Sequence, residues 1–195
     1  MTTSAVQAVA QSRTKLIYRN VALVVGASLL MSILGRFSVP LPFTPIPLTL
    51  ANLGVLFIAL TLGSTRAAAA MLLYLAEGAM GMPVFSPAGP GGIAQILGPT
   101  GGYLMAYPVA AFVAGWIAER GARNVMRLSV AAVIGEILLF VGGIGWLMNL
   151  THVPVSQAVN WAVYPFAFAE IIKIMTAVAA STRLHRSNKL AGLLS

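Results

Sequence analysis

The sequence predicts an all-α integral membrane protein, a six-transmembrane-helix bundle with both termini cytoplasmic. Three observations carry that prediction. Of 195 residues, 58% are hydrophobic and only 8% are charged. A soluble domain carries roughly 25% charged residues, so this chain cannot coat a globule with polar surface. The apolar runs are long and numerous enough for six helical spans separated by turn residues. An even number of spans puts both ends on one side, and the basic residues mark that side as the inner one. Arg13, Lys15 and Arg19, then Arg66, then Arg120, Arg123 and Arg127, then Arg183, Arg186 and Lys189 make ten of the twelve Lys and Arg. Arg36 falls outside, and Lys173 falls within the membrane. The expected location is the cell (cytoplasmic) membrane, crossed several times.

Residues 1–16 are polar and small, with Arg13 and Lys15, and read as a basic N-terminal tail. The membrane domain covers residues 17–183. Its first helix runs over 17–37, too long for the apolar core of a signal peptide. The next stretch holds Pro40, Pro42, Pro45 and Pro47, which forbid a continuing helix. A second helix is expected over 47–63, with Pro47 in its first turn. Gly63-Ser64-Thr65-Arg66 makes a tight turn into a third helix over 66–82. Residues 83–102 are rich in Pro and Gly and carry no charge. They cannot form a regular span and do not resemble a solvated linker. The fourth helix is expected over 100–119, kinked at Pro108, and the fifth over 127–148. A polar break with Asn149, Thr151, His152 and Pro154 follows, then a short interfacial helix over 156–163. The last span runs over 165–181, and residues 184–195 form a basic C-terminal tail.

Several functions are excluded by what the chain lacks. It has no cysteine, hence no disulfide, thiolate nucleophile or zinc–thiolate site. His152 and His185 are isolated, and no cluster has metal-ligand spacing. The net charge of +8 is spread in short groups between apolar runs, which is a topology signal and not a nucleic-acid face. No phosphate-binding Gly-x-x-x-x-Gly-Lys-Ser/Thr loop, Gly-x-Ser-x-Gly elbow or His-Glu-x-x-His pair occurs. The chain is not expected to be an enzyme or to hold a cofactor.

The chemistry concentrates in the last span, where Glu170 and Lys173 lie three residues apart in an apolar run. That spacing puts both on one helix face. Neither can face lipid, since each charge costs at least about 2.5 kcal/mol at the bilayer centre. Counting from an outer start at Pro165, Glu170 sits roughly 7–8 Å deep and Lys173 roughly 12 Å. Glu77 lies at a similar depth and Glu136 nearer mid-membrane. These groups and the neutral outer loop can converge on a cavity in the outer half. The pair can equally be a structural ion pair, and Glu77 and Glu136 can be protonated or hydrogen-bonded to a neighbouring helix. Thr100-Gly101-Gly102 opens a helix near Pro99, where free N–H groups suit a ligand carboxylate; the glycines serve helix packing equally well. The outer aromatics Phe85, Tyr103, Tyr107, Trp146, Trp161 and Tyr164 can line an apolar pocket; most read as interfacial belt residues, and Tyr103 alone as a ligand contact. Ala106, Ala110, Ala114 and Ala118 form a small-residue stripe on the fourth helix, as do Ala22 and Gly26 on the first.

Four segments together resemble the BioY family, the biotin-binding S components of energy-coupling-factor (ECF) transporters. They are Pro47-Leu48-Thr49-Leu50-Ala51-Asn52-Leu53-Gly54-Val55, Gly81-Met82-Pro83-Val84-Phe85, Leu97-Gly98-Pro99-Thr100-Gly101-Gly102-Tyr103, and Pro165-Phe166 with Glu170 and Lys173. The resemblance covers most of residues 20–183 and implies biotin as ligand. It implies that Glu170 accepts from, and Lys173 donates to, the ureido ring. The family commonly has Asp where this chain has Glu170. It also uses an Asn from the third-to-fourth-helix loop, which this chain lacks; Ser86 or Gln95 stands in. The ligand carboxylate is expected against Gly101 and Gly102, with Glu77 near the site. S components dock on a transmembrane T protein coupled to ATPase subunits, and Ala22 and Gly26 fit that contact. Two other readings stay open: a proton-coupled carrier of a small organic acid using Glu77 or Glu136, and a scaffold whose buried pair is structural.

Overall fold

The computed structural model describes residues 2–121 and 123–194, with side chains described for Gln11, 13–121 and 123–187. The elements in order are α1 (Thr2–Arg36), β1 (Ser38–Val39), β2 (Leu48–Thr49), α2 (Ala51–Leu62), α3 (Ser64–Ala79), α4 (Gly92–Ile96), α5 (Gly101–Glu119), α6 (Val125–Thr151), α7 (Val155–Ala162) and α8 (Ala167–Leu194). α1 begins well before residue 17 and α8 runs on past 183, so the expected tails continue helices.

Three described helices are long and apolar enough to cross a membrane: α1 over Arg13–Arg36, α5 and α6. α7 and α8 together make a fourth if their 56° bend lies within one span. α2 has 12 residues and α3 has 16, about 18 Å and 24 Å of helix against a ~30 Å hydrocarbon core.

The second helix starts at Ala51 and not near Pro47, because the preceding residues are held in a hairpin. Ser38 pairs with Thr49 and Val39 with Leu48 in antiparallel register, and the Leu50 amide donates to the Phe37 carbonyl. Gly63 then connects α2 to α3 alone, at φ +81°, a backbone conformation that favours glycine. Within the charge-free loop, α4 is a single short turn of helix that sequence periodicity does not show. His152, at φ +55°, ends α6, its amide donating to the Met148 carbonyl.

α5 is the centre of the bundle and packs against α2, α3 and α6. Its alanine stripe explains how: Ala110, Ala114 and Ala118 are fully buried, and a Cβ on Gly135 of α6 would meet Ala114. Small side chains let backbones approach where lipid supplies no hydrophobic drive. α8 lies against α2 and α6, and α1 against α3 and α2. α1 therefore leaves Val21, Val25, Leu29 and Ile33 exposed on a face that only lipid or a partner can cover.

Candidate ligand-binding site

The N-terminal ends of α2, α5 and α8 meet at one end of the bundle with the connections that precede them. Between them lies a cavity of about 570 Å³ of atom-free space, mouth included. Its apolar walls are Ile46, Tyr74, Leu104, Tyr107, Phe140 and Phe166. Its polar groups are Thr49, Asn52, Ser86, Gln95, Thr100, Tyr103, Glu170 and Lys173.

The two charges sit side by side. Lys173 Nζ is 2.7 Å from Glu170 Oε1, and each residue is only 6% exposed. One turn of α8 separates them, so the helix itself fixes the geometry. Glu170 Oε2 is buried with no hydrogen-bond partner among the described residues. The Glu136 carboxyl lies within hydrogen-bonding reach of this side chain, so a ligand N–H would take the place of that contact.

Asn52 ties the wall to a deeper group. Its Nδ2 donates to Glu136 Oε1 at 3.0 Å, while Glu136, 4% exposed, keeps Oε2 without a partner. Asn52 is the one amide in the apolar run of α2, and that was its sequence signal: a buried amide in a membrane segment needs a specific partner. Thr49, Tyr74, Thr100, Phe140 and Phe166 also line the cavity, with no signal separating them from ordinary packing residues.

Hydroxyls and amides around the cavity fasten its loops. Tyr74 donates to the Val84 carbonyl at 3.2 Å and Tyr103 to the Ala162 carbonyl at 3.3 Å. Trp146 Nε1 donates to the Gly98 carbonyl at 2.9 Å and Thr44 to the Trp161 carbonyl at 2.8 Å. Ser86 donates to Ser38 at 2.7 Å. Gln95 accepts from the Gly91 amide at 3.1 Å, which leaves its Nε2 as the donor end. Phe85 stacks edge-on against Tyr74 with ring centroids 5.3 Å apart. Phe85 and Tyr107 are thus buried in the bundle, where a belt position was expected.

The structure brings Ser86, Gln95, Tyr103, Glu170 and Lys173 together around one cavity. It places three expected contacts elsewhere. Gly101 and Gly102 do not line the cavity. The Gly101 amide donates to the Gly98 carbonyl, and side chains at 101 and 102 would collide with the Ile96 and Gly142 carbonyls. Close packing against Ile96 and Gly142 requires glycine at both positions. Glu77 accepts from Ser28 Oγ at 2.6 Å and clamps α3 to α1. Ala22 and Gly26 lie on the exposed side of α1, with open space around Gly26. No group of three His, Cys, Asp or Glu suited to a metal occurs among the described residues.

The model of the BioY family matches residues 4–189. A biotin transporter, BioY2, of Lactococcus lactis subsp. cremoris is 34% identical over 160 residues, 82% of this chain and 85% of that one. A biotin transporter of Rhodobacter capsulatus is 36% identical over 177 residues, 84% and 92% of the two chains. A probable biotin transporter of Pyrococcus horikoshii is 39% identical over 140 residues, 72% and 81% of the two. Among solved structures, the S-component for biotin from an ECF-type ABC transporter superposes with a TM-score of 0.81. It covers 88% of this chain and 93% of its own at 24% identity, which speaks to the fold.

Proposed function

This chain belongs to the BioY family, and from that membership we propose that it takes up biotin as the substrate-binding membrane component of an ECF-type transporter. The observation that carries the reading is the buried Glu170–Lys173 pair in the wall of a cavity lined by aromatic and polar side chains. Biotin's ureido ring has two N–H donors and one carbonyl acceptor. Glu170, with Oε2 unpartnered, accepts from an N–H; Lys173 donates to the carbonyl. Both bonds are charge-assisted and made out of water, where such bonds are strong. The thioether ring and the aliphatic chain fit between Tyr107, Phe140 and Phe166. The carboxylate then reaches the donors Gln95 Nε2 and the Thr100 hydroxyl, in place of the glycine turn.

In this reading six segments cross or enter the membrane, with α7 and α8 forming one bent element, and both termini face the cytoplasm. The distribution of Lys and Arg supports that orientation. The exposed faces of Ala22 and Gly26 on α1 meet a transmembrane partner that supplies ATPase coupling, and the chain resides in the cell membrane. A proton-coupled carrier is the weaker reading, because Glu77 is engaged by Ser28 and Glu136 by Asn52.

The test is thermal unfolding of the purified protein with and without biotin. A ligand at a thousandfold excess over its Kd adds about 4 kcal/mol of stability, so the melting temperature should climb by several degrees. No shift with biotin, and none retained through purification, would overturn the proposal.

A further inference from the structure

At the end of the bundle away from the cavity, the start of α6 and the middle of α8 leave a groove between them. Its apolar part is lined by Val125, Ile174, Met175, Val178 and Ala179. A basic concavity with Gly121, Arg123, Asn124 and His185 continues from it. The two share Val125, Thr182 and Arg186, so they form one surface that changes character along its length. On α8 the stripe runs Met175, Ala179, Thr182, Arg183, Arg186, at spacings that keep one helix face. Ile174 to Thr182 covers about 12 Å of helix, close to the ~15 Å hydrocarbon depth of one leaflet.

The charge of the basic end is not compensated within the groove. Among the described residues, no Asp or Glu lines either part. Arg127, one turn into α6, has a buried Nη1 with no partner among the described residues, directly beside Gly121. Arg123 donates to the Leu60 and Thr61 carbonyls through Nη1, which anchors it at the rim. The surface therefore pairs a dry slot of one-leaflet length with a cationic lip at its end.

We propose that this groove binds an anionic phospholipid. The phosphate sits between Arg123, Arg183 and Arg186, and one acyl chain lies along Met175, Val178 and Ala179. Charge complementarity selects the headgroup, and the slot selects a lipid over other anions. A free phosphate has no use for the apolar part, and an acidic protein segment would leave Met175, Val178 and Ala179 uncovered.

Native mass spectrometry of the full-length protein tests this with dioleoyl phosphatidylglycerol and dioleoyl phosphatidylcholine. Phosphatidylglycerol should be retained preferentially. Each arginine near an anionic headgroup contributes about fivefold in affinity, so Arg183→Gln and Arg186→Gln should each reduce retention by about that factor. Ala179→Trp, or Ala179→Phe if the larger ring lowers expression, fills the slot and should abolish the preference with all arginines present. Biotin affinity should stay unchanged in each variant, which shows that the fold is intact. Equal retention of the two lipids would overturn the proposal. So would displacement of phosphatidylglycerol by inorganic phosphate at equal concentration, or by a polyglutamate peptide. Undiminished retention in the Ala179 variants would do the same.

Discussion

Replacing Lys173 by Met separates the two roles of the buried pair. The substitution leaves the Glu170 carboxylate buried without its cationic partner, facing the Glu136 carboxyl. Breaking a buried pair from one side costs about 3–5 kcal/mol. At about 2–4 °C per kcal/mol for a chain of this size, the ligand-free melting temperature should fall by about 6–20 °C. Removing both charges with Glu170→Leu and Lys173→Met should restore stability to near the wild-type value, because apolar replacement of a buried pair is often neutral or better. Binding follows a different course. Losing the charged donor to the ureido carbonyl should weaken biotin by about 1.5–3 kcal/mol, roughly 10- to 150-fold, and the double variant should bind more weakly still. Unfolding curves without ligand and calorimetric titrations with biotin read the two effects independently. A double variant that is stable and binds biotin like the wild type would refute the site and leave the pair as a structural lock.

Other positions give sharper local tests. Asn52→Ala strips Glu136 of its one side-chain donor; it should cost about 1–3 kcal/mol of stability and weaken biotin, both measurable in the same titrations. Glu77→Gln keeps an acceptor for Ser28 and should leave biotin affinity unchanged; a large loss would return Glu77 to the site. Gly102→Ala sets a methyl against the Gly142 carbonyl and Trp146, so it should lower the melting temperature by several degrees while the folded fraction binds biotin normally. Tyr103→Phe removes the bond to the Ala162 carbonyl; biotin dissociation should accelerate by about fivefold for a bond worth about 1 kcal/mol, as followed by displacement of labelled biotin.

How far the sequence could be read depended on where the controlling interactions lie. Composition and apolar runs reported the solvent, because membrane segments must satisfy their backbone internally. The Glu170–Lys173 pair was legible because both groups sit on one turn of one helix. The start of α2 was not, because it is set by a hairpin across eight intervening residues, between Val39 and Leu48, where local propensity favours Pro47 in the helix. Gly101 and Gly102 could not be read for a related reason. A glycine at a helix start serves an anion or a close neighbour equally well, and only the position of Gly142 and Ile96 decides between them. Asn52 and Glu136 stand 84 residues apart in sequence, and periodicity carries no information about that distance.

The loop fastenings around the cavity have a kinetic consequence. Four of them end on backbone carbonyls, of Val84, Gly98, Ala162 and Trp161. Each bond is worth about 1 kcal/mol net, so releasing one connection by breaking one or two bonds places an open form at roughly one molecule in five to thirty. A gate of that height slows entry and escape by the same factor and leaves the equilibrium affinity where the cavity walls set it. Residence time and affinity can therefore be tuned by different residues, the first by the hydroxyls and indole that grip the loops, the second by Glu170 and Lys173.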